Sequence, residues 1–138
     1  MKQTGKRLFA VLLTIALCLS LFPVMASAED DAVAITSLSE ITNLSGSYKL
    51  ADDITVTEPF GSNTERFNGT LDGDGHTVTI NITQSGSNIG MFAYLDTNAV
   101  VKNFVVDTAT VTNTGSANTG AIAGTSKGTI SDRSEERR

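Results

Sequence analysis

The chain has 138 residues, with fifteen acidic side chains against ten basic ones, one cysteine, one histidine and no tryptophan. That length suits a single domain with a modest core, and the excess of acid argues against a nucleic-acid partner. The lone Cys18 lies inside an apolar run, which leaves neither a disulfide framework nor a thiolate metal site.

Lys2, Lys6 and Arg7 precede an apolar run from Leu8 to Phe22, which closes in Pro23 and the small-residue triplet Ala26-Ser27-Ala28. This order of basic, apolar and small residues reads as a signal peptide over residues 1–28, cleaved after Ala28, since the run is short for a membrane span. Leu17 stands before Cys18 where a lipid-anchoring signal wants a small residue, so no lipid anchor is expected. Cleavage removes three of the ten basic residues and no acidic one, leaving 110 residues with a net charge of −8. The expected product is secreted or associated with the cell surface, without stable membrane insertion.

Residues 29–36 are acidic and small, as expected of a disordered new N-terminus. Ser37 and Glu40 then fit the S-x-x-E capping box, in which the two side chains satisfy free N–H groups at a helix start. Leu38, Ile41 and Leu44 share a helical face, so the spacing predicts a short N-terminal capping helix ending near Gly46. Beyond it the period changes to two: Tyr48 and Leu50, then Ile54 and Val56, with Ala51-Asp52-Asp53 as the turn between them. "HTVTINIT" alternates Val78, Ile80 and Ile82 against polar residues, and "NAVVKNFVVDTATV" adds β-branched residues interrupted by Asn103. Glycine and Asn-Gly separate the apolar runs, and Pro59 is the only proline after the signal. The fold class expected is all-β over residues 37–132, behind a small helix.

Part of the sequence repeats itself. "GMFAYLDTNAVVKN" and "GAIAGTSKGTISD" align with Gly90 on Gly120, Phe92 on Ile122 and Ala93 on Ala123. One gap then puts Val101 on Ile130 and Asn103 on Asp132. The leading glycines are 30 residues apart, a period typical of units that cannot bury their apolar face alone. Short strands at this spacing predict a β-solenoid whose coils stack their strands in parallel. Asn103 and Asp132 should then lie on adjacent coils, at a bend where polar side chains satisfy backbone groups that the sheet leaves free.

The segments "LSGSYKLADDITV", "FNGTLDGDGHTVTI", "IGMFAYLDTNAVVKNFVV" and "NTGAIAGTSKGTISD" together resemble the N-terminal part of bacterial surface and secreted proteins with GLUG-type repeats. The resemblance spans roughly residues 35–132, and "F-x-G-T-L-D-G-D-G-H-T" is its most specific part. It implies a right-handed parallel β-helix of pectate-lyase-like architecture. It also implies a modular exported protein, often adhesive or wall-associated, whose partners are cell-wall or host-surface polysaccharide or protein. The chain departs from the pattern at "RSEERR", where another coil is due. Residues 133–138 are therefore expected to be a charged tail on an incomplete solenoid, a fragment of a longer protein able to self-associate through its open end.

Asp72-Gly73-Asp74 invites a calcium reading, but an EF-hand loop counted from Asp72 has Thr77 at its sixth position and Thr83 at its twelfth, where Gly and Glu are needed. Glycoside hydrolysis would use two carboxylates, and Asp52, Asp53, Asp72, Asp74, Asp96 and Asp107 are candidates that a solvated corner explains equally well. A lyase would need a base beside a calcium cluster, and Lys49, Arg66, Lys102 and Lys127 form no recognisable arrangement with one. His76 lacks the partners of a triad and shares the parity of Val78, so its ring is expected to pack under the corner. The Gly90 and Gly120 stretches lack the G-K-[ST] of a phosphate loop, and the N-x-[ST] sites at Asn43, Asn68 and Asn81 fit coincidence in a Thr-rich chain. Gly73 and Gly75 are expected to supply positive φ, with Asp72 and Asp74 capping the turn and facing water. The expectation is thus a structural, adhesive or ligand-binding module with no catalytic residues, cofactor or metal of its own. The alternative is the N-terminal portion of a polysaccharide-active β-helix enzyme, a lyase or glycoside hydrolase.

Overall fold

The computed structural model describes residues 31–115 and 117–135, with side chains described through Ser131. The signal-peptide reading of residues 1–28 and the last three residues of the tail lie outside the described residues. The described residues are all-β, in strands that pair with one another in parallel. These are β1 (Val33–Ile35), β2 (Ser47–Leu50), β3 (Ile54–Val56), β4 (Thr70–Asp72), β5 (Thr77–Gln84), β6 (Asn88–Ile89), β7 (Phe92–Leu95), β8 (Val100–Asn113), β9 (Asn118–Thr119), β10 (Ala123–Ser126) and β11 (Thr129–Glu135).

The pairing order follows the winding of the chain. One ladder runs β1, β2, β4, then the first part of β8, then β11, with Tyr48, Leu71, Val101 and Ile130 in one column. A second runs β3, β5 and the later part of β8, with Ile54, Val78 and Val106 in register. A third joins β7 to β10, extended by single bridges from Phe60 to Phe92 and from Phe67 to Leu95, and β6 pairs with β9. From β2 onward, paired strands lie 23 to 31 residues apart, so successive returns of the chain lay new strands beside earlier ones. This arrangement is consistent with a β-helix-like fold.

The period-two pattern decides what faces inward. Leu71, Val78, Ile80, Ile82 and Val101 are at most 1% exposed, whereas Asn81 and Thr83 between them face solvent. Three phenylalanines fill one flank of the core. Phe67 stacks on Phe92 with centroids 5.0 Å apart, and Phe60 meets Phe92 edge-on at 5.8 Å. Tyr48 is buried too, and its hydroxyl accepts the Asn43 N–H at 2.9 Å, tying the segment before β2 to the first coil.

Several sequence expectations need correction. The N-terminal helix is absent: only a single 3-10 turn, Leu38–Glu40, forms. Ser37 does cap it, its hydroxyl accepting the Ser39 N–H, and Glu40 turns chiefly to the hydroxyl and N–H of Thr36, with the Ser37 N–H of the capping box a smaller influence on it. The Thr36 hydroxyl and then its N–H hold the Glu40 carboxyl below its ordinary pKa. Ile41 is already extended, because Leu38 and Ile41 reach the core as a cover on the first coil, and the Leu44 carbonyl is claimed by the Asn68 N–H. Val33–Ile35, expected in the disordered stretch 29–36, is strand β1 and buries Ile35 against the coil. At the other end, β11 carries the ladder to Glu135, into the expected tail 133–138.

The repeat alignment holds at its ends and slips in the middle. Asn88 pairs with Asn118 and Val101 with Ile130, and Asp132 falls opposite Asn103 between the Ser131–Lys102 and Arg133–Phe104 pairs, as expected of adjacent coils. Phe92, however, pairs with Ala123 and not with Ile122. The Gly120 N–H bonds back to Ile89 while the Phe92 N–H bonds to Ile122, so the later coil takes up one extra residue here. A one-residue slip exchanges inward and outward faces, and it leaves Ile122 buried.

Candidate functional site

The corner between β4 and β5 holds the acidic residues singled out in the sequence. Its backbone is knit to the next coil: Gly73 and Gly75 N–H donate to the Lys102 and Asn103 carbonyls at 2.7 and 2.8 Å. The positive φ angles belong to Asp74 (49°) and Gly75 (79°), and on the facing coil to Asn103 (55°). Gly73 needs no such freedom; it is glycine because a Cβ there would lie 2.4 Å from Phe104 Cβ and 2.5 Å from the Asn103 carbonyl oxygen.

Asp72 does not face water freely. One of its oxygens accepts the Asp74 N–H at 2.9 Å, the Asn103 amide reaches both oxygens at 3.1 and 3.2 Å, and Lys102 Nζ lies 3.3 Å away. Burial is the largest single influence and pushes the Asp72 carboxyl up. The Asp74 N–H, the Asn103 amide and Lys102 together outweigh it and hold the group below its ordinary pKa. Asp74 itself is exposed.

His76 does not pack under the corner as expected. Its ring is half-buried at the strand entrance, with Nδ1 3.4 Å from the Asp53 carboxylate of the preceding coil, which also accepts the Thr77 N–H at 2.8 Å. Asp52 accepts the Asp53 N–H, Asp96 the Thr97 N–H, and Asp107 the Thr108 hydroxyl. Four of the six candidate aspartates, Asp52, Asp53, Asp72 and Asp96, are therefore engaged in holding turns or neighbouring coils. Among the described residues, no group of three or more His, Cys, Asp or Glu is placed to hold a metal ion. The N-x-[ST] asparagines divide: Asn43 and Asn68 spend their side-chain oxygens on the Ser45 and Asn98 N–H groups, and Asn81 is exposed.

Two arrangements have no counterpart in the sequence reading. Arg66 lies over the Tyr94 ring at 4.2 Å, with Lys127 Nζ at 5.9 Å from the same centroid. On another corner, Asn63, Asn88 and Asn118 link three coils through side-chain amides, with Thr125 bonded to Asn88 and Asn118. The 30-residue interval between Asn88 and Asn118 is the one that separates Gly90 from Gly120, so the repeat contained the signal.

No protein-family model matches the chain, and no solved structure matches it. Among curated proteins it is similar to halomucin of Haloquadratum walsbyi, at 37% identity over 118 residues that take in 72% of this chain. The chain spans about 1% of that relative's length. Halomucin comes from an archaeon, so the match lends no support to the bacterial origin implied by the GLUG-type resemblance.

Proposed function

We propose that the chain is an exported module of a cell-surface or secreted protein, a right-handed parallel β-helix of the GLUG-repeat type whose role is structural, adhesive or ligand-binding. The observation that carries this reading is the use made of the acids: Asp52, Asp53, Asp72 and Asp96 each accept a backbone N–H at a bend of the winding. A carboxylate committed to holding a turn is poorly disposed to act as a general acid or nucleophile, which favours a module without a catalytic centre of its own. The likeness to halomucin, named as a mucin, supports a surface or secreted setting, as does the signal-like sequence of residues 1–28. Right-handed winding follows from the strong preference of parallel crossovers for that hand.

Two measurements test the proposal. Fractionation of producing cells, with mass determination of the mature N-terminus, should find the protein in the medium or envelope beginning at Glu29. A cytosolic protein retaining Met1 would refute the surface reading. Incubation with pectic and neutral polysaccharides, with and without calcium, should release no unsaturated or reducing ends. Product release abolished by Asp72→Asn would favour the enzyme alternative.

A further inference from the structure

The asparagine ladder borders a groove of about 360 Å³, lined among others by Glu58, Ser62, Asn63, Gln84, Ser87 and Asn88. Its chemistry is unlike that of the charged corner at Asp72, since Glu58 is the only ionisable side chain in the lining, and the amides, hydroxyls and glycines share it with Pro59, Ile89 and Ala93. The ladder also has a direction. Thr125 donates its hydroxyl to Asn88 Oδ1 at 2.8 Å, Asn118 donates its amide to the same oxygen at 3.2 Å, and Asn88 in turn donates to Asn63 Oδ1. The donors thus run from the later coils toward the earlier one and end on Asn63. The Asn63 amide nitrogen then donates to no acceptor among the described residues, and the side chains of Gln84 and Glu58 have no protein partner among them either. A chain of hydrogen bonds polarises its members, so the terminal amide is a strengthened donor, held in place by the rung above.

We infer that this groove binds a neutral, hydroxyl-rich ligand of the oligosaccharide class, with Asn63 as the principal donor and Glu58 and Gln84 as acceptors for sugar hydroxyls. A sugar hydroxyl both donates and accepts, and it is matched by a lining that offers amide donors beside amide and carboxylate acceptors. An anionic sugar would meet Glu58 without a cation in the lining, whereas the apolar surface of Pro59, Ile89 and Ala93 offers the C–H face of a sugar ring a place to rest. The volume is at the low end for small-molecule sites, which suits a segment of about one or two sugar rings. The inference rests on the surface-module reading for its setting and names the ligand class for it.

The test uses the full-length chain labelled with ¹⁵N, titrated with cellotriose, maltotriose, triacetylchitotriose and, for contrast, trigalacturonate. At least one neutral trisaccharide should shift the side-chain amide signals of Asn63, Asn88 and Gln84 in a saturable way. Asn63→Asp keeps the size and the acceptor oxygen but loses both donors. It should weaken that binding about tenfold or more with an unchanged melting temperature, while Asn81→Asp, outside the groove lining, leaves the affinity unaltered. No shift from any neutral probe up to about 10 mM, the weak limit of useful affinity, would overturn the inference. So would undiminished binding by Asn63→Asp, or trigalacturonate binding at least as tightly. Export and N-terminal processing are read independently, so an empty groove and a misplaced module would be told apart.

Discussion

Strand β8 contains two regions with different surroundings. Its first part, around Val101, lies between β4 and β11, and Val101 is fully buried. Its later part, from Thr108 to Asn113, pairs with β5, and among the described residues the β11 partners reach as far as Val106. There Val111 is only half-buried and Ala109, which by alternation should face inward, is exposed. Asn103, with its positive φ, marks a corner within the covered part, which continues through the buried Phe104 and Val106. In a stacked fold, burial depends on what the neighbouring strands cover as much as on the apolar pattern of the strand itself.

The largest expected effect follows from that contrast. Val101→Asp would place an unpaired charge between two coils and should cost about 4 kcal/mol or more, enough to abolish cooperative unfolding in urea. Val111→Asp, at a half-buried position, should cost less than about 1 kcal/mol in the same experiment. Equal losses would mean that the two parts of β8 are covered alike.

Next come the glycines that hold the corner beside Asn103. Gly73→Ala has to displace Phe104 and the Asn103 backbone and should lower stability by about 2–3 kcal/mol. Gly75→Ala, whose Cβ meets nothing within 4 Å, bears only the cost of its positive φ, about 1–2 kcal/mol. Denaturation midpoints of the two variants order them, and a larger loss at Gly75 would contradict the close-approach explanation for Gly73.

The smallest effect is electrostatic. Asp72 has a folded-state pKa below its ordinary value, so its contribution is fully present above the ordinary aspartate pKa and is lost as pH falls through the folded one. Asp72→Asn should therefore flatten the acid limb of the stability profile below about pH 4, by less than about 1 kcal/mol, the scale of a solvent-screened pair. An unchanged acid limb would remove Asp72 from the acid response.

Much of this architecture was legible from alternation alone. Val78, Ile80 and Ile82 carry a period of two that no helix can use, and the glycine repeat located the third ladder to within one residue. The helix at Ser37 was misread because Leu38 and Ile41 satisfy a helical spacing and a cover over the first coil equally well, and only the contacts of that coil decide between them. His76 illustrates the limit of parity at a corner, where the backbone turns before the alternation begins. The asparagine ladder is not apparent along the sequence, since Asn63, Asn88 and Asn118 come together only once the winding brings distant positions into contact.

The most direct test of the account is a set of cross-strand HN–Hα contacts measured by NMR on the ¹⁵N,¹³C-labelled chain. The winding described here predicts contacts from Val101 to both Leu71 and Ile130, and from Val78 to both Ile54 and Val106. Contacts confined to antiparallel neighbours within single hairpins, or the sequential pattern of a helix across Thr77–Gln84, would contradict it.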